Sequence, residues 1–519
     1  KDLSRVSVDS CTPRTHEPLF QETNKEAGLN KYLFEMVNIR DQCSWVHMKE
    51  KEAATKKAED LIRMAVAKAR LLEPQDEETL KIEPSAFVIG GGISGMTAAL
   101  NIADQGFKVH LIEKENKLGG LINNLYELFP NEDRASEYLE EQITKIKNHK
   151  NIELYLNSQI KDIKGYIGNY NISLTKPDKK DIELNVGTII VATGAQELKP
   201  DGAFNYSKED PHIITQQELE QKLTEDGKDW LDNIDRVTTI LCVNARQKEG
   251  ITYCSNICCS VALKNIRILK ELKPDLEVVV LYRDLQMAKK EFEDFYRERR
   301  QDAMFIRYSL EELPQVKQKN GEYHVSVVDT NLQEKLEFNT DLILLATPLI
   351  PEDNMEELAK MLKVPLDGSG FFLEAHVKLR PLDFATDGIF LCGCAQWPKN
   401  IQDSIAQANG AAGRASRFLS AGEMTTSGLI SEVNETLCIG CGKCEEVCPY
   451  QAVELREIEK SFEDITIIIK KSYVNSALCK GCGTCGATCP VGAISVKHYD
   501  FNQIGVMIDS YLLEKSQAE

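Results

Sequence analysis

The C-terminal segment carries one cysteine pattern twice, and no other feature constrains the folding of this chain so tightly. Cys438, Cys441, Cys444 and Cys448 run C-x2-C-x2-C-x3-C and end in Pro449, while Cys479, Cys482, Cys485 and Cys489 repeat the spacing and end in Pro490. Thiolates at this spacing hold [4Fe–4S] clusters, and in a doubled motif the fourth cysteine of each run ligates the cluster of the other. Two sites are therefore expected. One takes Cys438, Cys441, Cys444 and Cys489, and the other takes Cys479, Cys482, Cys485 and Cys448. Clusters of this kind pass single electrons, so the residues upstream are expected to feed this wire or to draw from it.

At 519 residues the chain is too long for one ordinary core, and two to four domains are expected. Its formal net charge of −19 argues against binding of a phosphate backbone or an anionic membrane surface. No run of about 18 apolar residues predicts a membrane span, and no basic segment leads into an apolar one as in a secretory signal. The chain opens on Lys1, which predicts a processed start or a beginning inside a longer protein. The 16 cysteines fall mostly into tight groups, so metal ligation accounts for them better than disulfides do. Oxygen-labile clusters then imply the reducing cytoplasm of an anaerobe.

Five segments are expected. Residues 1–80 read as a small N-terminal α/β domain, with a short strand around Val6 and Val8 and a helix over 49–72. A proline-bounded acidic linker runs from Glu73 to Pro84. Residues 81–200 and 341–427 read as two parts of one dinucleotide-binding domain, and 201–340 as a middle Rossmann-like domain. The runs Thr188–Ala192, Thr238–Val243, Glu277–Leu281, Leu342–Ala346 and Gly388–Leu391 are mostly apolar and read as buried parallel strands. Residues 428–519 form the cluster domain. The fold class is α/β.

The dinucleotide site opens with Phe87-Val88-Ile89 and Gly90-Gly91-Gly92-Ile93-Ser94-Gly95. The first glycine permits a tight turn, the second lets backbone approach a pyrophosphate, and the third lets helix pack on strand. The helix start at Ile93 and Ser94 offers N–H groups to the anion. A second strand, Lys108 to Ile112, ends in Glu113-Lys114, where a ribose-binding carboxylate belongs. Gly119-Gly120, Ala192-Thr193-Gly194 and the late run Gly388 to Gly393-Cys394, leading to a helix around Ile405, complete the candidate site. This ordered set resembles the two-dinucleotide-binding flavoproteins that include thioredoxin reductase, which implies FAD. It departs from them in the middle domain. There the strand Thr239 to Val243 runs into Asn244-Ala245-Arg246-Gln247, without the glycine fingerprint a nicotinamide needs and without a C-x-x-C redox pair.

Four cysteines stand there instead. Cys254-x3-Cys258-Cys259 at a helix start puts three thiols at one pole, and Cys242 at a strand end can close the set. Four soft thiolates select an iron–sulfur cluster or zinc, and the redox context favours a cluster. The bland alternative is a group of buried core thiols. Lys264, five residues past Cys259, is the candidate catalytic residue, a cation at the flavin edge that would stabilise the reduced anion.

Together these residues resemble the A-type subunits of heterodisulfide reductase over nearly the whole chain. The carriers are Cys11-Thr-Pro-Arg-Thr-His-Glu-Pro-Leu-Phe20, Tyr32-Leu-Phe-Glu-Met-Val-Asn-Ile-Arg40 with Gln42-Cys43-Ser44-Trp45-Val46-His47, the set Cys242/Cys254/Cys258/Cys259, Gly393-Cys394-Ala395-Gln396 and the ferredoxin tail, of which the first and third are specific to the family. The resemblance implies a thioredoxin-reductase-like FAD domain with a degenerate second Rossmann-like domain and a 2[4Fe–4S] ferredoxin domain. It implies an FAD and iron–sulfur subunit that splits or merges electron pairs, that is, electron bifurcation or confurcation. The implied partners are B- and C-type heterodisulfide reductase subunits, ferredoxin, and an electron-input subunit such as a hydrogenase or formate dehydrogenase, with a homodimer inside the complex. No motif here would itself reduce a heterodisulfide, so that site is expected on a partner.

Two departures stand out. Residues 121–187 hold no cysteine, so the ferredoxin domain that relatives insert after the Gly119-Gly120 region is absent. The family's cysteines upstream of Cys11 are also missing, so Cys11 and Cys43 would share a cluster only with ligands supplied from elsewhere. His16 and His47 read as ordinary bonded histidines. Tyr32, Trp45, Cys392, Tyr282, Phe292, Phe295 and Tyr296 read as packing residues. Rival readings are a non-bifurcating NAD(P)H- or ferredoxin-dependent flavin oxidoreductase and a scaffold subunit with structural clusters.

Overall fold

The computed structural model describes residues 3–176, 181–319, 322–462 and 465–518. It divides into two compact units, one of Lys81–Glu423 and one that joins Lys1–Leu80 to Met424–Glu519. The reading from sequence set residues 1–80 apart from the cluster domain.

The Lys81–Glu423 unit is built on two five-stranded parallel sheets. The strands of the first are β1 (Ser85–Ile89), β2 (Lys108–Ile112), β3 (Ile152–Tyr155), β4 (Thr188–Val191) and, returning much later in the chain, β10 (Ile389–Leu391). They lie in the order β10-β4-β1-β2-β3. The second sheet holds β5 (Ile213–Thr215), β6 (Arg236–Ile240), β7 (Glu277–Tyr282), β8 (Met304–Arg307) and β9 (Leu342–Leu345), in the order β5-β9-β6-β7-β8. β1, β4 and β9 are buried along their whole length, which is why their sequences are apolar without alternation. All five strands expected from apolar runs are present, with ends shifted by at most three residues.

Each sheet carries a three-stranded antiparallel meander: Gln159–Tyr166, Asn169–Thr175 and Asp181–Val186 on the first, Gln315–Lys319, Glu322–Asp329 and Glu334–Thr340 on the second. These alternate buried and half-exposed positions, as one-sided sheets do. Four helices position the site: α1 (Ile93–Asp104), α2 (Gln216–Glu225), α3 (Cys258–Leu272) and α4 (Ile401–Ala421). α2 starts in a full capping box, in which the Thr215 hydroxyl accepts from Glu218 N at 3.2 Å and the Glu218 carboxylate accepts from Thr215 N at 2.8 Å.

In the other unit, Val6–Ser10 pairs in parallel with Phe34–Asn38, and the helix expected over 49–72 forms as Lys51–Ala69. The cluster domain has two hairpin-like pairs, Ser431–Val433 with Ile494–Val496 and Val453–Phe462 with Ile465–Val474. Tyr32 is buried where its hydroxyl accepts from Gly428 N at 2.7 Å and donates to Glu77 at 2.9 Å, and this bond ties the two ends of the chain together within the unit. The helix Phe501–Ala518 packs on Lys51–Ala69. Trp45, expected in the core, is instead 53% exposed, with the Arg40 guanidinium 4.0 Å above its ring. A π-helical turn over Arg40–Ser44 buries Cys43 and turns its neighbour Trp45 outward. Among the described residues no helix is long and apolar enough to cross a membrane.

Candidate functional site

The glycine motif makes a tight turn at the C-terminal end of β1. Gly90 has φ +108°, and a Cβ there would stand 2.4 Å from the Ala192 carbonyl oxygen. A Cβ on Gly95 would meet the Gly90 oxygen at 1.8 Å, so α1 packs against the turn closer than any side chain allows. Gly92, the N-cap of α1, has nothing within 4 Å of where its Cβ would be, and no side chain caps the helix. Backbone N–H groups are thus left open at a helix start, which suits an anion. Glu113 is buried, and its carboxylate accepts from Gly91 N at 2.7 Å and Glu115 N at 2.9 Å. Each oxygen keeps a further lone pair for a ribose hydroxyl. The Thr193 hydroxyl is buried with no partner, beside Gly194 at φ +80°. An open helix start, a buried carboxylate and an orphaned hydroxyl together fit the ADP half of FAD.

The remaining candidates gather around α1 with unequal roles. Gly119 bonds back to Gly91 O at 2.9 Å, and a Cβ on Gly120 would stand 3.3 Å from Gly92 Cα. Lys114 is drawn off to Glu352 at 2.8 Å. A Cβ on Gly393 would meet the Ser94 hydroxyl at 2.2 Å, which lays the late Gly393-Cys394 turn directly on the first turn of α1. Cys394 donates to Lys399 O at 3.5 Å, and Cys392 is fully buried. On α4 the residues that face the cavity are Ile401 and Ser404, and Ile405 does not line it.

That cavity has an empty volume of about 1080 Å³, part of it open to solvent, and is walled mostly by apolar atoms. Ile93 of α1, Cys394 and Ser404 line one side, and Cys258, Val261 and Lys264 of α3 line the other. It therefore runs from the dinucleotide helix to the cysteine set of the second sheet. Lys264 is 2% exposed; its ammonium donates to the Glu127 carbonyl at 2.8 Å and to the Glu220 carboxylate at 2.5 Å. Glu220 also accepts from Tyr126 N at 3.1 Å and keeps its other oxygen buried and unbonded. The charge read into Lys264 is thus matched inside the protein.

The four cysteines sit at the C-terminal edge of the second sheet, where open α/β sheets bind ligands. Cys242 lies just past β6 with φ +60°, and Asn244, Arg246 and Asn256 share that left-handed conformation. Such a conformation costs roughly 1–2 kcal/mol at Cys242. The buried Arg283 offsets it by donating to the carbonyls of Cys242 at 3.3 Å, Ala245 at 2.5 Å and Arg246 at 2.9 Å. Burial pushes the Cys258 thiol well up, with Cys259, Cys254 and Cys242 adding to the effect, so the four lie within electrostatic reach of one another. Burial also pushes Cys259 up to about 12. Thiols held protonated this way lose their protons only against a bound cation.

In the cluster domain, a space of about 320 Å³ is lined by Cys438, Cys441, Cys444 and Cys489. Ser472 stands beside it, 3.0 Å from Cys444 Sγ. Burial opposes ionisation of Cys438, but the N–H groups of Ser472 and Gly440 outweigh it and hold the thiol below its usual range. The second set mirrors the first. Ser431 donates from its N–H to Cys479 at 3.3 Å, and its hydroxyl lies 3.2 Å from Cys485. Burial raises Cys485, with Cys479 and Cys482 contributing. Cys448 packs beside Cys444 and Cys485 in the small core between the two sites. Among the described residues no three side chains are close enough to hold a single bare ion. Thiolates around a cluster stand farther apart, because its irons and sulfides lie between them.

Cys11 accepts from Arg40 at 2.9 Å, and Cys43 is buried and donates to Ala54 O at 2.8 Å, so the structure does not pair them. Sequence reasoning missed Glu220, Arg283 and Lys399. Lys399 alone left a signal, standing directly before Asn400, the cap of the helix expected at the flavin.

The fold and these sites define an iron–sulfur flavoprotein oxidoreductase. The family model for pyridine nucleotide-disulphide oxidoreductases matches residues 84–408, and that for the 4Fe-4S dicluster domain matches 437–493. The chain is 35% identical to the second iron-sulfur A-type subunit of CoB–CoM heterodisulfide reductase from Methanopyrus kandleri, with 88% of this chain and 83% of that protein covered. It is 34% identical to the A-type subunit of H(2):CoB-CoM heterodisulfide,ferredoxin reductase from Methanothermobacter marburgensis, with 88% and 82% covered. It belongs to the family of heterodisulfide reductase A-type subunits, as the resemblance at Cys11–Phe20 and Cys242–Cys259 implied. Among solved structures, a thioredoxin reductase of Lactococcus lactis aligns over 65% of this chain and 99% of its own at 19% identity and a TM-score of 0.46. The cofactors are FAD and [4Fe–4S] clusters.

Proposed function

We propose that this chain is the branch-point component of a heterodisulfide-reductase-type complex, in which electron pairs are split or merged between a ferredoxin-level carrier and a disulfide-reducing partner. One observation carries the reading: a single cavity joins the helix that opens the FAD site to Cys258 of the four-cysteine set, at the edge where a nicotinamide would otherwise bind. FAD, when bound, accepts or gives electrons singly or in pairs. Gly90, Gly92 and Gly95 let its pyrophosphate approach the backbone, with Ile93 and Ser94 at the helix start. Glu113 and Thr193 would hold polar groups of the dinucleotide, and the mostly apolar wall that includes Leu121 and Val261 would limit water at its reactive end. Cys242, Cys254, Cys258 and Cys259 would hold a cluster beside that end, and the tail cysteines two more.

The relative from Methanothermobacter marburgensis is named for an H(2):CoB-CoM heterodisulfide,ferredoxin reductase. For this chain we infer partners of the same kind: B- and C-type subunits, a hydrogenase or formate dehydrogenase component, and ferredoxin. Cys11 and Cys43 would join a cluster only with ligands from another chain. Anaerobic purification of the native complex tests the reading. Of the iron in the complex, about twelve are expected in this chain alone, with one flavin that the partner donor bleaches and NADH does not. About eight irons in this chain would remove the middle cluster, and bleaching of the isolated chain by NADH would favour a nicotinamide-dependent oxidoreductase; either result overturns the proposal.

A further inference from the structure

The cavity wall holds two cations, Lys264 and Lys399. Lys264 is matched by Glu220. Lys399 is not: its ammonium donates to the carbonyl oxygens of Gly393 at 2.6 Å and Trp397, and it forms no ion pair among the described residues. Besides the thiols of Cys394 and Cys392, two carboxylates reach it electrostatically, and both are engaged elsewhere. Glu374 accepts from Leu382 N at 2.9 Å, and Asp403 pairs with Lys289 at 2.5 Å. Burial pushes the Lys399 pKa down, the response of an ammonium removed from water without a countercharge. Its place in the chain adds to the positive field. Lys399 directly precedes Asn400, whose side chain caps α4 by accepting from Asp403 N at 2.8 Å, so the residue stands at the positive end of a helix running Ile401–Ala421. The turn it braces, Gly393, lies against Ser94 in the first turn of α1. A desolvated cation braced on the dinucleotide site is retained at a cost unless a ligand supplies the negative charge.

We propose that Lys399 is the countercharge for the flavin ring when the ring is reduced, a role the sequence had suggested for Lys264. The inference rests on the reading that the FAD occupies this cavity. Two electrons from iron–sulfur donors and one proton from water convert neutral oxidised ring to reduced ring with one net negative charge, which the ammonium balances. Lys399 therefore favours the reduced state over the oxidised one.

The test uses the FAD-loaded full chain under anaerobic conditions with Lys399→Gln, which keeps a neutral donor for the two carbonyls, and Lys399→Arg, which keeps the charge. Sulfite, which adds to oxidised flavin and leaves the same negative charge on the ring, is the probe, alongside the two-electron midpoint potential. In Lys399→Gln, sulfite affinity falls at least tenfold, and the reduction equilibrium shifts tenfold toward oxidised flavin, about 30 mV. Lys399→Arg stays within about threefold of the unaltered protein. If Lys399→Gln loses FAD on purification, the ratio of its affinities for reduced and oxidised FAD gives the same information and falls tenfold. Unshifted values in Lys399→Gln, or equal shifts in both variants, overturn the proposal. Failure of the unaltered chain to bind FAD refutes the underlying reading instead.

Discussion

Breaking the Lys264–Glu220 pair should destabilise the Lys81–Glu423 unit by several kcal/mol, and the structure says why. The two side chains are 2% and 1% exposed, and their charged atoms are 2.5 Å apart. Removing one partner from such a pair leaves a charge that water cannot reach, at a cost of about 3–5 kcal/mol. Lys264 would retain only the Glu127 carbonyl in a Glu220→Leu variant, and Glu220 only the Tyr126 N–H in Lys264→Met. At about 2 °C per kcal/mol, the low end for large units, each single change lowers the midpoint of thermal flavin release by roughly 6–10 °C. The double variant Lys264→Met with Glu220→Leu removes both charges and should recover most of that loss, with a coupling of at least about 2 kcal/mol. Flavin fluorescence during heating gives the four midpoints. A single variant within about 1 °C of the unaltered protein, or a double variant at the sum of the singles, would show that the pair is solvated and refute the reasoning.

The glycine turn predicts a separation of binding from folding: Gly92→Ala has room for its Cβ and should leave stability within about 0.5 kcal/mol while FAD affinity falls at least tenfold. Gly95→Ala, with its Cβ 1.8 Å from the Gly90 oxygen, should lose roughly 1–3 kcal/mol as well, and chemical denaturation beside flavin titration tells the two apart. Cys489→Ala should remove the cluster of the Cys438, Cys441 and Cys444 site although it lies in the other motif, taking about four irons per chain and one EPR signal. Burial holds His498 below its ordinary 6.5, so the folded unit keeps it neutral while the unfolded chain charges it. Its contribution is complete above pH 6.5 and is lost as pH falls through the folded value, and His498→Gln should flatten that part of a denaturation-against-pH curve. Anaerobic removal of iron with a chelator should melt the Met424–Glu519 segment and leave the middle sheet folded, as hydrogen exchange would resolve.

The parts legible in the sequence are those with a local cause. Spacing alone announces the doubled cysteine motif, because each run wraps its own neighbourhood, and apolar runs announce β1, β4 and β9, because both faces of a parallel strand are buried. The Gly90–Gly95 turn is legible because a φ of +108° and a 1.8 Å approach both demand glycine. The rest depends on distant residues. Glu220 meets Lys264 across the space between α2 and α3, and nothing in Gln216–Glu225 marks it as more than a helix glutamate. Trp45 is misread because a large aromatic residue usually packs in a core, whereas the π-helical turn rotates it outward onto Arg40. Arg283 clasps the loop of Cys242 from the end of a different strand, so the left-handed backbone there has no visible support in sequence.

The two kinds of cysteine site stand in different relations to folding. In the tail, the core between the sites consists of Cys444, Val453, Cys485 and Ile494, flanked by Val433, Cys448, Val474 and Cys489. Half of those side chains are ligands, so little apolar surface remains to hold the segment once the clusters go, and binding energy there is folding energy. The middle domain has its own core, with Leu219, Leu241, Leu263, Leu269 and Leu276 buried between sheet and helices. It can therefore carry the strained turn at Cys242 with Arg283 bracing it from below, whether or not a ligand is bound. A site preformed on a rigid sheet edge holds its cluster at a fixed place relative to the flavin cavity, which a wire that must not drift requires. The tail, whose fold and cofactors form together, gains no such independence, and its own clusters fix its geometry.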